Sequence, residues 1–171
     1  MKSTVIKVLH FDEVVVPAHE GVINSEGLEK PLHMLPSKGA PSWSVQFDTL
    51  PKVILRLELE CGVVGLGEFY RDHSWEVLET IAHNLIGKEI TKLCLQALPI
   101  ALCREYDGFE CAIWDASAKL LGIPLHRLLG GAVRDKVQVG AWSSHRHRSE
   151  VGAWARGYQD QGFGCIKFKA D

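Results

Sequence analysis

Cys165-Ile166-Lys167-Phe168-Lys169 is a short β-prone run, and its neighbours decide what it belongs to. Side chains two apart on a strand share a face, so Lys167 and Lys169 stand together while Ile166 and Phe168 face the other way. Two ammonium groups so placed repel each other, which makes the neutral form of one easier to reach and suits a lysine to act as a base. A lysine pair taken alone is more often an edge-strand device against aggregation. The preceding residues argue otherwise. Val137, Val139 and Ala141 alternate as a strand, Ser149 can cap a helix carrying Val151, Trp154, Ala155 and Tyr158, and Gly162 ends that helix. Strand, helix, strand in roughly thirty residues is a βαβ unit with parallel strands, normally covered on both faces. In a closed barrel, side chains near the C-terminal end of a strand point at the mouth of the site.

Further upstream the pattern is different. Thr4 to Val16 reads as one long strand or two short ones, ended by Pro17. Val53, Leu55, Leu57 and Leu59 alternate with Ile54, Arg56, Glu58 and Glu60, which predicts a half-buried strand. Cys61-Gly62 turns it into a returning strand, Val63 to Phe69. Gly62, Gly65 and Gly67 lack the spacing of a phosphate-binding loop, and no helix follows them directly. Ser74 predicts the start of a helix with Val77, Leu78, Ile81 and Leu85 on its apolar stripe and Gly87 at its end. A second helix is expected through Leu93, Leu95 and Leu98, interrupted at Pro99. A third carries Phe109, Ala112, Ile113, Ala116 and Leu120 and stops at Gly122. Pro124 opens a short helix with Leu125, Leu128 and Leu129, and Gly130-Gly131 reads as a hinge. Residues 18–44 have glycine, proline and serine without a period, a loop of a length that is usually functional or mobile inside a compact domain.

The chain has 171 residues, 46% of them hydrophobic, with a formal net charge of −2. That balance gives no electrostatic pull toward nucleic acid or a membrane surface. No segment approaches the ~20 apolar residues of a membrane span, and the N-terminus lacks the apolar core of a signal peptide. Five cysteines, an odd number without Cys-x-x-Cys spacing, predict reduced thiols in the cytoplasm, mostly as core filler.

Several stretches together resemble the mandelate racemase/muconate lactonising family of the enolase superfamily. They are Gly65-Leu66-Gly67-Glu68, Ala112-Ile113-Trp114-Asp115 with Lys119, and Gly122-Ile123-Pro124-Leu125. Leu128-Leu129-Gly130-Gly131-Ala132-Val133-Arg134-Asp135 and Gly162-Phe163 leading to Lys167-Phe168-Lys169 complete the set. The resemblance implies an α+β capping domain (antiparallel sheet plus helices) over residues 1–130. The start of a modified TIM (β/α) barrel would follow over residues 131–171. It implies that Lys169 is the catalytic base that removes a proton α to a carboxylate, and that Lys167 holds the carboxylate and tunes Lys169. Mg²⁺ is the implied cofactor, with ligands expected beyond the end of this chain, so no metal ligand is assigned within it.

The resemblance also implies capping loops, here about residues 17–44 and 68–73. His19, Glu20, Tyr70 and Arg71 are therefore candidate substrate-binding residues. His145 and Arg146, in the basic run that follows the first barrel strand, are candidates to receive an acidic substrate. A His-x-His metal site at His145 and His147 is disfavoured, because no nearby carboxylate or cysteine completes a ligand set. Asp115 is expected to make a structural hydrogen bond or ion pair. The expected partner is a small carboxylate, an acid sugar, and the expected assembly a homo-oligomer. Acid-sugar dehydration is the favoured reaction, with racemisation, epimerisation or cycloisomerisation as alternatives from the same proton abstraction. A non-catalytic fragment that lacks the metal site is the reading from another class.

Overall fold

Val53, Leu55, Leu57 and Leu59 expose no surface, and Arg56 between them faces water, so the alternation in the sequence is met by a one-sided sheet. The computed structural model describes residues 3–15, 25, 52–69 and 73–169. They fall into two compact units: residues up to 14 with 52–133, and residues 15 and 25 with 134–169.

In the first unit, β2 (Lys52–Leu59) lies between β1 (Ile6–Val14) and β3 (Val64–Phe69), antiparallel to both. The β2–β3 turn is closed by the Gly62 N–H on the Leu59 carbonyl at 2.8 Å, with Gly62 at φ 85°. Cross-strand ion pairs Lys7–Glu58 (2.8 Å), Arg56–Asp12 (2.6 Å) and Lys52–Glu68 (2.9 Å) occupy the wet face. Hydrogen bonding from Arg56 holds the Asp12 carboxyl below its ordinary 3.8, and Lys7 holds Glu58 below 4.5. These depressed carboxylates stabilise the fold at neutral pH, and that contribution fades as pH falls through the depressed values. All are exposed, so each pair contributes little.

Two helices cover the other face, α1 (Trp75–Leu85) and α2 (Tyr106–Leu121); the single turn α3 (Leu125–Leu128) follows α2 and buries no residue. Ser74 caps α1 by accepting from the Val77 N–H, and Gly122 ends α2 in the left-handed region at φ 68°. Leu78 and Leu85 of α1 and Phe109 and Ile113 of α2 join Ile6 and the β2 leucines in one core. Phe11, Phe69 and Phe109 cluster within it at ring separations of 5.1–6.3 Å.

The glycines of β3 set how close α2 can come. A Cβ at Gly65 would lie 2.0 Å from the Ala112 carbonyl oxygen, and one at Gly67 2.0 Å from that of Gly108. Gly108 itself has the Phe69 ring where a Cβ would be.

The expected helix through Leu93, Leu95 and Leu98 is not formed. A 3-10 turn at Ile90–Lys92 is followed by irregular chain. Spacings of two and three do not repeat a helix face, and Pro99 cannot donate a helical bond. Leu98 is buried and Leu93 and Leu95 pack against the core from turns instead.

In the second unit, β4 (Ala141–His145) and β5 (Ile166–Lys169) are parallel and joined through α4 (Arg148–Asp160), as the βαβ reading requires. Two details differ. Val137 and Val139 are exposed and precede the strand, because pairing with β5 begins only at Ala141. Ser149 does not cap α4: the His147 carbonyl already accepts from Glu150 (2.8 Å) and Val151 (3.3 Å), so His147 is the capping residue. On α4 the Trp154 and Tyr158 rings touch, and Tyr158 meets Phe163 just past its end edge-on.

The five cysteines are free, but Cys94, Cys103, Cys111 and Cys165 are exposed and only Cys61 is half-buried, which overturns their reading as core filler. Cys111 lies on the outer side of α2, and Cys94, Cys103 and Cys165 lie in chain outside helix and strand. Among the described residues no helix is long and apolar enough to cross a membrane.

The glycine contacts generate a paired prediction. Gly67→Ala should destabilise the protein by about 3 kcal/mol or more, because backbone must move to admit the methyl group. Gly157→Ala, on an open face of α4 with nothing within 4 Å, should stabilise by up to about 1 kcal/mol. Urea unfolding of both variants checks the pair. Equal midpoints for the two would contradict the close approach.

Candidate functional site

The site is built on the C-terminal ends of β4 and β5. Alternation along β5 places Lys167 and Lys169 on one face. In the parallel register Lys167 lies beside Trp142 and Lys169 beside His145, with a slip in pairing between Ser143 and His145. Lys167 is exposed and Lys169 half-buried.

The end of β4 is a buried polar stretch in which Ser143 and Ser144 expose no surface and His145 only 6%; His145 pairs with Lys169, and Ser143 pairs with Phe168. Polar groups are costly to bury unless bonded. The Ser143 hydroxyl accepts from Arg146 Nε at 2.8 Å, and the Arg146 guanidinium lies 4.0 Å over the Trp154 ring. The His145 carbonyl accepts from the Ser25 N–H at 3.0 Å, and Ser25 Oγ donates to Glu150 Oε2. His145 and Arg146 are thus brought to the lysine-bearing end. His19, Glu20, Tyr70 and Arg71 lie outside the described residues, as do residues 18–24 and 26–44 of the expected loop.

Ser25 and Glu150 were not legible as a pair. They are separated by 125 residues, and neither belongs to a local motif. Glu105 was also missed. It exposes only 4% of its surface and accepts from the Ser74 N–H at 2.8 Å, fixing the start of α1 from the start of α2.

Asp115 has the structural role expected of it. Its carboxylate accepts from the Leu66 N–H at 2.8 Å and from Lys119 Nζ at 2.7 Å, while Lys119 also donates to the Val64 carbonyl at 2.9 Å. The two residues close the outer edge of β3 from one turn of α2.

Chemically, the β5 end offers two amines on one face with an imidazole-bearing residue alongside. That suits proton transfer at, and charge pairing with, an acidic molecule. Among the described residues no group of three or more His, Cys, Asp or Glu side chains is placed to hold a metal ion.

Residues 43–130 match the model of the mandelate racemase/muconate lactonizing enzyme N-terminal domain. The chain belongs to this family, a branch of the enolase superfamily, and its first unit is the α+β capping domain. It is 32% identical over 130 residues to a D-galactonate dehydratase of Pectobacterium atrosepticum, covering 67% of this chain and 34% of that protein. It is 25% identical over 177 residues to a probable glucarate dehydratase of Streptomyces coelicolor, covering 84% of this chain and 37% of that one. A solved enolase from Pseudomonas fluorescens, with bound magnesium, potassium and tartrate, aligns at a TM-score of 0.66 and 22% identity over 99% of this chain and 46% of its own. The chain spans about a third of the length of the curated relatives it matches.

Asp115→Ala should lower stability by about 1–3 kcal/mol, because the Leu66 N–H and the Lys119 ammonium lose their acceptor together. Asp115→Asn, which keeps one acceptor, should cost less. Denaturant midpoints check this order; a neutral Asp115→Ala would remove the edge-closing role.

Proposed function

We propose that this chain is the N-terminal portion of a magnesium-dependent enolase-superfamily enzyme that removes the proton α to a carboxylate, and that its reaction is dehydration of an acid sugar. The observation that carries the reading is the pairing of Lys167 and Lys169 on one face of a parallel strand end, with His145 in register beside Lys169. The dehydratase relatives support an acid-sugar substrate.

Lys169 acts as the base and accepts the α-proton. The C–H electron pair becomes the new carbon–carbon double bond as the bond to the β-hydroxyl breaks, and that hydroxyl leaves as water after taking a proton from a general acid. Lys167 holds the substrate carboxylate by charge and hydrogen bonding. His145 and Arg146 line the same end, and His19, Glu20, Tyr70 and Arg71 supply specificity from the capping loops. Residues 1–130 form the cap and residues 131–171 begin the barrel. A bound magnesium ion supplies charge stabilisation to this class of chemistry. The described residues do not offer a ligand set that fits it, so in this reading its carboxylates belong outside this chain. The substrate is a small soluble acid, the setting cytoplasmic and the assembly homo-oligomeric.

In the complete protein, Lys169→Met should lower α-proton exchange in deuterated water roughly 10²–10⁴-fold while leaving the fold intact. Wild-type exchange in that variant would remove Lys169 from the base role. Residues 1–171 expressed alone with Mg²⁺ should turn over no member of an acid-sugar panel. Metal-dependent turnover by that piece would overturn the assignment of the metal site to residues outside it.

A further inference from the structure

We propose that Ser25, held by Glu150, is a positioning residue for the lysine-bearing end of the βαβ unit. The proposal rests on the reading of Lys169 as the base. Ser25 is buried, exposing 8% of its surface. It makes two bonds to two different elements of one unit. Its N–H donates to the carbonyl of His145, the last residue of β4, at 3.0 Å. Its hydroxyl donates to Glu150 in the first turn of α4, where a carboxylate is favoured by the helix dipole.

His145 is the residue that needs such support. The β4–β5 register slips between Ser143 and His145, and at a slip the ladder is locally disrupted. Beyond the slip, His145 is the register partner of Lys169. The Ser25 N–H binds the backbone at this point, and Glu150 fixes Ser25 against the helix that follows. On the other side of the slip Arg146 binds the Ser143 hydroxyl and stacks on Trp154, so the strand end is held from both sides. Loss of the Ser25 tie should let His145 shift and should change the setting of Lys169 without touching substrate.

The test compares Ser25→Ala, Ser25→Thr, Glu150→Ala and Glu150→Gln in the complete protein. Two readouts are used: kcat and KM for α-proton exchange, and the rate at which acetic anhydride acetylates Lys169, read by peptide mass spectrometry. Ser25→Ala and Glu150→Ala should each lower kcat on the order of tenfold with little change in KM, since a small misplacement of a reacting group acts on the chemical step. Both should change the Lys169 acetylation rate several-fold. Ser25→Thr and Glu150→Gln retain a hydroxyl donor and an oxygen acceptor, and should stay near wild type in both readouts. An unchanged acetylation rate in folded Ser25→Ala or Glu150→Ala overturns the proposal, as does equal damage from the conservative pair. Should the wild type exchange no α-proton with any acid offered, the base role of Lys169 fails. The acetylation rates would still decide the positioning role.

Discussion

The close approach of α2 to β3 is the constraint on which the capping domain depends. Gly65 and Gly67 present bare backbone to the helix, and Gly108, Ala112 and Ala116 present small surfaces in return. With no Cβ atoms in the way, the helix settles low enough for Phe109 and Ile113 to be buried completely and for Phe69 to lie over Gly108. The same proximity lets Asp115 and Lys119, one helical turn apart, reach the outer edge of β3. An exposed strand edge is a template for unwanted pairing. Here a carboxylate takes one of its N–H groups and an ammonium takes one of its carbonyls. On the opposite edge, the start of β1 is closed by backbone bonds: Ile6 N–H to the Lys88 carbonyl at 2.9 Å, and Gly87 N–H to the Ile6 carbonyl at 2.9 Å.

Much of this was legible in the residues. Period-two burial of Val53, Leu55, Leu57 and Leu59, and the helix stripe from Phe109 to Leu120, follow from one-sided exposure to water, which local patterning records well. Gly65 and Gly67 lack phosphate-loop spacing, and their packing role depends on a helix more than forty residues later. The irregular 93–98 segment shows the converse limit. Leucines bound for the core look alike whether a helix or a chain of turns delivers them. For Val137 and Val139, strand alternation was present but no strand among the described residues pairs with them, and a strand is defined by its pairing.

The candidate site was legible only where it is local. The Lys167–Lys169 pair and the His145-Arg146 run are contiguous motifs, and the structure sets them side by side. The stacking of Arg146 on Trp154 joins residues eight apart across a helix start and could be anticipated from a cation near an aromatic stripe. The Ser25–Glu150 tie had no local signal, because a serine in an unpatterned segment can find a partner anywhere.

The two sheets differ in a way that bears on function. In the capping sheet, polar side chains face water or close strand edges, and the interior is apolar. The β4–β5 pair instead buries Ser143, Ser144 and His145 in succession, which a strand chosen for stability alone would not do. Bonds from Arg146 and Ser25 offset part of that cost. Departures from the simple rule of apolar inside and polar outside tend to fall where a protein does its chemistry. Here His145, at the end of the polar run, is the register partner of Lys169, while Ser143 pairs with Phe168. The polar run is kept at a strand end that apolar residues could have filled, and the Ser25 N–H holds the backbone of His145 where it pairs with Lys169.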